Sequence, residues 1–145
     1  MESGILIRGS VLEDSKAIAD LSGQLGYPAS SEEINVRLEK VISHPENCAF
    51  SAVCDGQVIG WIHAFYTLRI ETPPFVEIAG LVVDQNNRKK DVGRELVSSV
   101  INWAKRFQTT SVRVRSNVMR HEAHDFYRRI GFDEIKDQKI FSFNL

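Results

Sequence analysis

Hydrophobic and polar positions alternate with two different periods along the chain, and the changes of period mark its elements. Ile5, Leu6 and Ile7 before Arg8 predict a first strand. Ile18, Leu21 and Leu25 then recur at three- and four-residue spacing, the signature of a helix, which Gly26 and Pro28 stop. Ser30 followed by Glu33 fits a capping box, and Ile34, Leu38, Val41 and Ile42 form the apolar stripe of a second helix that Pro45 closes. The period then shortens. Residues Cys48–Cys54 and Gln57–Tyr66 are β-rich runs on either side of Asp55-Gly56, a pair that favours a type I′ turn and so predicts a hairpin. After the break at Pro73-Pro74, Phe75–Val83 is apolar enough for a central strand, with the single exception of Glu77. From Val92 the pattern is helical again, with Leu96, Val97, Val100, Ile101, Ala104 and Phe107 on one face. Val112 and Val114 alternate with Arg113 and Arg115 as a half-buried strand, and Ala123, Phe126, Tyr127 and Ile130 mark a helix that Gly131 caps. Residues Ile140–Leu145 alternate once more and predict a last strand. The expected order is strand, two helices, three strands, helix, strand, helix and two final strands: a mixed sheet with helices on its faces.

Composition narrows the classes of function. At 145 residues the chain has the length of one domain, expected to span 1–145. Eighteen Lys+Arg against nineteen Asp+Glu give a net charge of -1, so no global positive field collects nucleic acid or anionic membrane. Any bound anion is held locally. Apolar residues at 43% and charged residues at 26% fit a chain that folds by burying a core. The N-terminal MESGILIRGS does not read as a signal peptide, and no apolar run approaches about 20 residues, so a cytoplasmic location is expected. Cys48 and Cys54 lie too far apart along one extended strand to bridge, and are expected to be reduced, packed thiols. No neighbouring cation or helix start activates either as a nucleophile.

Two segments carry candidate chemistry. Leu81-Val82-Val83 leads from the apolar strand through Arg88, Lys89, Lys90 and Asp91 into the helix that begins near Val92. A helix start leaves backbone N–H groups unpaired and partly positive, which suits a diphosphate, and Gly93 permits close approach. Arg94 adds a cation; Asp91 and Glu95 offset it. Spacing alone leaves open both this anion site and an ordinary solvated helix start. The second segment runs from Ser116 to Phe132, where Tyr127 sits in the last turns of a helix. Taken alone, a tyrosine there is more often a core aromatic than a reactive phenol.

Together the two segments resemble the GNAT superfamily of acetyl-CoA-dependent N-acetyltransferases. The family's cofactor motif, Arg/Gln-x-x-Gly-x-Gly/Ala, falls on Arg88-Lys89-Lys90-Asp91-Val92-Gly93, with Asp91 in place of the first glycine and adding a carboxylate that repels a pyrophosphate. Ala123-x-x-Phe126-Tyr127-x-x-x-Gly131-Phe132 follows at the family's distance. Within the superfamily, Asn117-Val-Met-Arg-His-Glu-Ala-His-Asp-Phe-Tyr127 is similar to the aminoalkylphosphonate N-acetyltransferase branch. Arg120 stands where many members have an asparagine, and Asn117 lies one turn earlier.

The resemblance implies a mostly antiparallel α/β (α+β) sheet of about seven strands flanked by about four helices. It implies acetyl transfer from acetyl-CoA to the primary amine of a small molecule by direct attack in a ternary complex, no activated cysteine or serine being evident. The backbone of Leu81, Val82 and Val83 would pair with the pantetheine arm and polarise the thioester carbonyl. Arg88, Lys89, Lys90, Asp91, Val92, Gly93, Arg94 and Asn117 would contact the cofactor. Tyr127 would be the general acid, and Glu77, four residues before Leu81, the general base in place of an ordered water. His121 and His124 lie one helical turn apart without a third ligand, so no metal is expected. His63 is a candidate for the acceptor site or a satisfied core residue. Arg113 and Arg115 are expected on a solvent face, with contact to the cofactor's 3′-phosphate as the other reading. The acceptor pocket would draw on the first two helices, the loop Thr67–Pro74 and the final strands; Arg69 and Glu71 are polar positions of that loop and expected to be exposed. Superfamily members are often dimeric, which makes a homodimer one expected state. The alternative is a catalytically silent acyl-CoA-binding sensor or scaffold.

Overall fold

A computed structural model describes residues 4–145, the side chains of Arg88, Lys89 and Lys90 excepted. The chain divides into two compact units, one up to Val114 and the other Arg115–Leu145. The first holds a five-stranded sheet ordered along the chain: β1 (Ile5–Gly9), β2 (Asn47–Cys54), β3 (Gln57–Thr67), β4 (Phe75–Val83) and β5 (Val112–Val114). Neighbours are antiparallel, except that β5 runs parallel to β4. Three helices accompany the sheet: α1 (Ser15–Gln24), α2 (Ser31–Ser43) and α3 (Val92–Ala104).

Local chemistry explains most boundaries. The Ser30 hydroxyl accepts the Glu33 amide at 3.0 Å while the Glu33 carboxylate accepts the Ser30 amide at 2.9 Å, the reciprocal box that starts α2. Asp55 and Gly56 both adopt positive φ, at 51° and 76°, as the turn between β2 and β3 requires. α3 buries Val92, Leu96, Val97, Val100, Trp103 and Ala104. Ile101, expected on that face, is exposed, because at 3.6 residues per turn it falls beyond the edge of the arc that Trp103, Leu96, Val100 and Ala104 bury. Helix α3 packs on the sheet face of Gly60, whose missing Cβ would sit 3.2 Å from Val92 and 3.3 Å from Leu96.

The second unit contains one helix, α4 (His121–Arg129), followed by Gly131 at φ 108°. The two final strands expected after it are absent among the described residues, so the sheet has five strands and not about seven. Ile140, Phe141, Phe143 and Leu145 alternate as a strand would, yet all are exposed and no ladder engages them. Alternation selects a strand only where an edge supplies hydrogen bonds. Cys48 and Cys54 are both free thiols, and burial pushes the Cys48 thiol up to about 12, so it stays protonated. Among the described residues no helix is long and apolar enough to cross a membrane.

A half-buried ion pair ties β1, β2 and the start of α1. The Arg8 guanidinium donates to both Asp14 oxygens, at 2.8 and 2.9 Å; the Val11 amide and the Ser51 hydroxyl add donors at 3.0 and 2.9 Å. Burial alone pushes the Asp14 carboxyl up, but these donors together outweigh it and hold the group below its ordinary value. The unfolded chain therefore binds this proton more readily. The stabilisation is complete above the unfolded pKa of about 3.9 and is lost as pH falls through the folded value. Asp14→Asn should lower stability by about 2 kcal/mol at pH 7 and flatten the acid limb of a urea-unfolding series between pH 5 and 3. An unchanged acid limb would show that other carboxylates govern it.

Candidate functional site: a half-unpaired strand beside an uncapped helix

Strand β4 is paired on both sides for only part of its length. β5 lies beside Val76, Glu77 and Ile78 and no further. There the register against β3 slips: Ala64 faces Ile78 and His63 faces Gly80, leaving Ala79 as a bulged residue with no opposite number. A bulge bends its strand and increases the local twist, which turns the rest of β4 away from β5. Past it, Gly80, Leu81 and Val82 keep β3 as their one strand neighbour among the described residues. Trp61 lies over the bulge, its ring edge 2.8 Å from where a Gly80 Cβ would stand, so only glycine fits beneath it.

The same strand delivers the chain to α3. Asp84 fixes the connection: its amide donates to the Ile59 carbonyl at 2.8 Å, and its carboxylate accepts from Gln24 at 3.2 Å and Asn87 at 2.8 Å. Hydrogen bonds from Gln24 and Asn87 hold that carboxyl below its ordinary value. At the end of the connection Asp91 takes the left-handed conformation, φ 60° and ψ 21°. This accounts for the departure from the glycine motif: aspartate is one of the few other residues that reach this region without prohibitive strain. The Asp91 side chain does not cap the helix, and the first intrahelical bond runs from the Glu95 amide to the Asp91 carbonyl at 3.0 Å. The amides of Val92, Gly93 and Arg94 precede that bond and have no intrahelical acceptor. Gly60 brings the two features together, since its absent Cβ would touch both the Val82 carbonyl and the Val92 side chain at 3.2 Å.

Glu77 is 9% exposed and lies between Phe65 of β3 and Arg113 of β5 in register. It is a carboxylate inside the sheet and not one facing water. His63 shares its face; its Nε2 lies 2.8 Å from the Asn47 Oδ1, and burial holds the ring below its ordinary pKa and therefore neutral at pH 7. Arg113 corrects the expectation of a solvent face, for its guanidinium stacks 4.1 Å from the centre of the buried Phe75 ring. Arg69, expected to be exposed, lies half-buried 5.4 Å from the same ring. Glu71 is exposed as expected. Arginine pairs with aromatics are missed by period-based reading because their partners are distant in the chain.

In the second unit, Tyr127 makes edge contacts with Phe126 and Phe132 at ring separations of 5.2 and 5.6 Å. Burial pushes its phenol above its ordinary pKa against the opposing charge of Arg120, so the hydroxyl keeps its proton at neutral pH. The Asn117 side-chain oxygen accepts the Met119 amide at 2.9 Å, shaping the turn before α4. The Arg94 side chain is exposed. The expected side-chain contacts of Arg88, Lys89 and Lys90 lie outside the described residues.

Residues 16–132 match the acetyltransferase (GNAT) family. The crystal structure of an aminoglycoside 6'-N-acetyltransferase, AAC(6')-Ih from Acinetobacter baumannii, is similar over 97% of this chain and 99% of its own, with a TM-score of 0.85 at 20% identity. The aminoglycoside N-acetyltransferase AAC(6')-Iy in complex with CoA is similar over 97% and 95%, with a TM-score of 0.86 at 17% identity. At these identities the likeness shows the fold. N-acetylaspartate synthetase of Xenopus tropicalis is 27% identical over 94 residues, 65% of this chain and 34% of that protein, so the chain spans about a third of that relative's length.

Replacing Asp91 tests the helix start directly. Asp91→Gly removes a carboxylate from in front of the uncapped amides and relieves the left-handed backbone, with part of that relief lost to unfolded-state entropy. The dissociation constant for coenzyme A, measured by calorimetry, should fall about three- to tenfold while stability holds within about 1 kcal/mol. Unchanged affinity would place the anion elsewhere.

Proposed function

Because the chain belongs to the acetyltransferase (GNAT) family, we propose that it transfers an acetyl group from acetyl-CoA to the primary amine of a small molecule. The supporting observation is the conjunction of the outer edge of β4 at residues 80–82, beyond its pairing with β5, with the uncapped start of α3. An extended pantetheine arm needs strand-like hydrogen bonds, a diphosphate needs convergent amides, and these two features offer both.

Bound acetyl-CoA supplies the acetyl group as a thioester. The backbone of Leu81, Val82 and Val83 lines the arm and polarises the carbonyl, with apolar side chains that position the backbone. The amides of Val92, Gly93 and Arg94 hold the diphosphate, with Asp91 as a local opponent; Arg88, Lys89 and Lys90 are assigned to the cofactor by motif alone. Asn117 is assigned a cofactor contact by motif. Glu77 takes the proton of the incoming ammonium, a role that suits a carboxylate held inside the sheet. Tyr127 holds a proton on its phenol oxygen for the departing thiolate; its raised pKa suits a donor that must remain protonated between turnovers.

Kinship does not choose the acceptor. The relatives' names speak of N-acetylaspartate and of aminoglycosides, two chemically unlike targets of N-acetylation. The likeness of the Asn117–Tyr127 motif to aminoalkylphosphonate N-acetyltransferases supports a small primary amine. A silent acyl-CoA sensor is the second reading, and the Asp91 carboxylate at the helix start favours it.

Release of free thiol from acetyl-CoA across a panel of amines separates the two readings. Acetylation of at least one small amine well above hydrolysis is expected; tight coenzyme A binding without any acceptor would establish the sensor. In the active enzyme Tyr127→Phe should lower kcat by about 10²-fold or more with KM for acetyl-CoA little changed. Glu77→Gln should lower kcat by about 10²-fold with KM for acetyl-CoA little changed. An unchanged kcat would assign the base to another group.

A further inference from the structure

Trp61 and Gly80 are matched to one another at the point where β4 bends. Two outer carbons of the indole's six-membered ring lie 2.8 and 3.0 Å from where a Gly80 Cβ would stand. The indole N–H is buried and has no hydrogen-bond partner among the described residues. Both choices cost stability. A glycine inside a strand loses chain entropy and covers nothing, and a buried indole ordinarily finds an acceptor for its donor. Phenylalanine at position 61 would leave no donor unpaired, but its shorter ring would not carry carbon atoms as far across the strand. The reach of the indole is therefore what the pairing retains, and a stability cost kept at one place points to function there.

That reach has a direction. Trp61, His63 and Phe65 alternate onto the face that carries Glu77, and Trp61 stands opposite Val82 in register. The opposite face is closed: side-chain atoms of Val92 and Leu96, both 0% exposed, stand 3.2 and 3.3 Å from the absent Cβ of Gly60. On the acetyltransferase reading, on which this inference rests, the thioester carbonyl lies against the backbone of Leu81, Val82 and Val83. Acyl carbons beyond it find no space towards α3 and meet the indole on the other side. We propose that Trp61 is the end wall of the acyl site, admitting an acetyl group and excluding butyryl and longer chains. An aromatic wall of fixed reach discriminates by length, because close-packed surfaces leave no space for added methylenes. The wall selects the donor and leaves the amine to other residues.

Acyl-CoA donors of graded length test the wall. With one accepted amine held saturating, kcat/KM for acetyl-CoA should exceed that for butyryl-CoA by about 10²-fold or more, as two excess methylenes in a closed apolar site imply. Trp61→Ala should narrow the ratio to about tenfold or less by raising the use of butyryl-CoA. Trp61→Phe keeps an aromatic ring in place should Trp61→Ala fail to fold, and it should narrow the ratio in part. Equal use of the two donors by the unaltered chain overturns the proposal. So does an unchanged length preference in the folded variants, which would make the indole a packing residue. A change confined to KM for the amine overturns it as well, by assigning the ring to the acceptor. Calorimetry with acetyl-CoA and butyryl-CoA separates this inference from the reading beneath it. Weaker binding of butyryl-CoA than of acetyl-CoA, equalised by Trp61→Ala in a chain that acetylates no amine, sustains the wall and defeats the transferase. Transfer of acetyl and butyryl groups at similar rates does the reverse.

Discussion

Everything proposed for this chain depends on β4 losing its second strand neighbour at Ile78. The loss has an identifiable cause in the one-residue slip at Ala79, which bends β4 and ends its pairing with β5 after three residues. A fully paired β4 would present side chains only, on two packed faces, and its amides would be consumed by the sheet. The slip converts a central strand into an edge over its last residues. Unprotected edges invite aggregation, and this one is short and shares its surroundings with the packed start of α3. Gly60 and Gly80 make the arrangement sterically feasible, the first by letting the helix start approach the strand, the second by accepting the Trp61 ring over the bend.

Around that edge the charges are sorted. The net charge of -1 conceals a local arrangement in which cations and carboxylates are placed by different elements. Asp84, bound by Gln24 and Asn87, anchors the chain leading to α3, while Asp14, bound by Arg8 and Ser51, anchors the start of α1. These carboxylates are satisfied by their own neighbours and serve the scaffold. Arg69 and Arg113 are placed by a different device, each against the buried Phe75 ring.

Most elements of the first unit were legible from periodicity, because its helices and strands bury one face and their capping and turn residues are conventional. Ser30 with Glu33, and Asp55 with Gly56, specify their local geometry within a few residues. What failed to register depends on partners far along the chain. Ile140–Leu145 alternates as a strand but meets no ladder, so its pattern is a capacity that nothing realises. Ile101 fits the apolar stripe of α3 by spacing, yet it falls beyond the edge of the arc centred between Leu96 and Val100. The slip at Ala79 leaves no compositional trace, since an apolar run reads the same with or without one unpaired residue. Of the candidate site, Glu77 was visible as a carboxylate in an apolar strand, and the helix start as glycine and cations before a helical period. The stacked arginines were not, because Arg113 obeys the polar half of a two-residue alternation and its ring lies on a different strand.

The start of α3 and the neighbours Glu77 and Arg113 belong to opposite faces of the sheet. α3 packs on the face of Gly60, whereas Glu77 and Arg113 share the face of Phe65. β4 is the element common to both, and its outer edge after Ile78 separates them by no more than the thickness of a single strand. On the function proposed above, a donor held along that edge would have its diphosphate at the helix start and its thioester beside the bulge, with Glu77 on the other face. A fold with almost no net charge can hold an anionic donor in this way, since the diphosphate is matched locally and does not depend on a field spread over the whole surface.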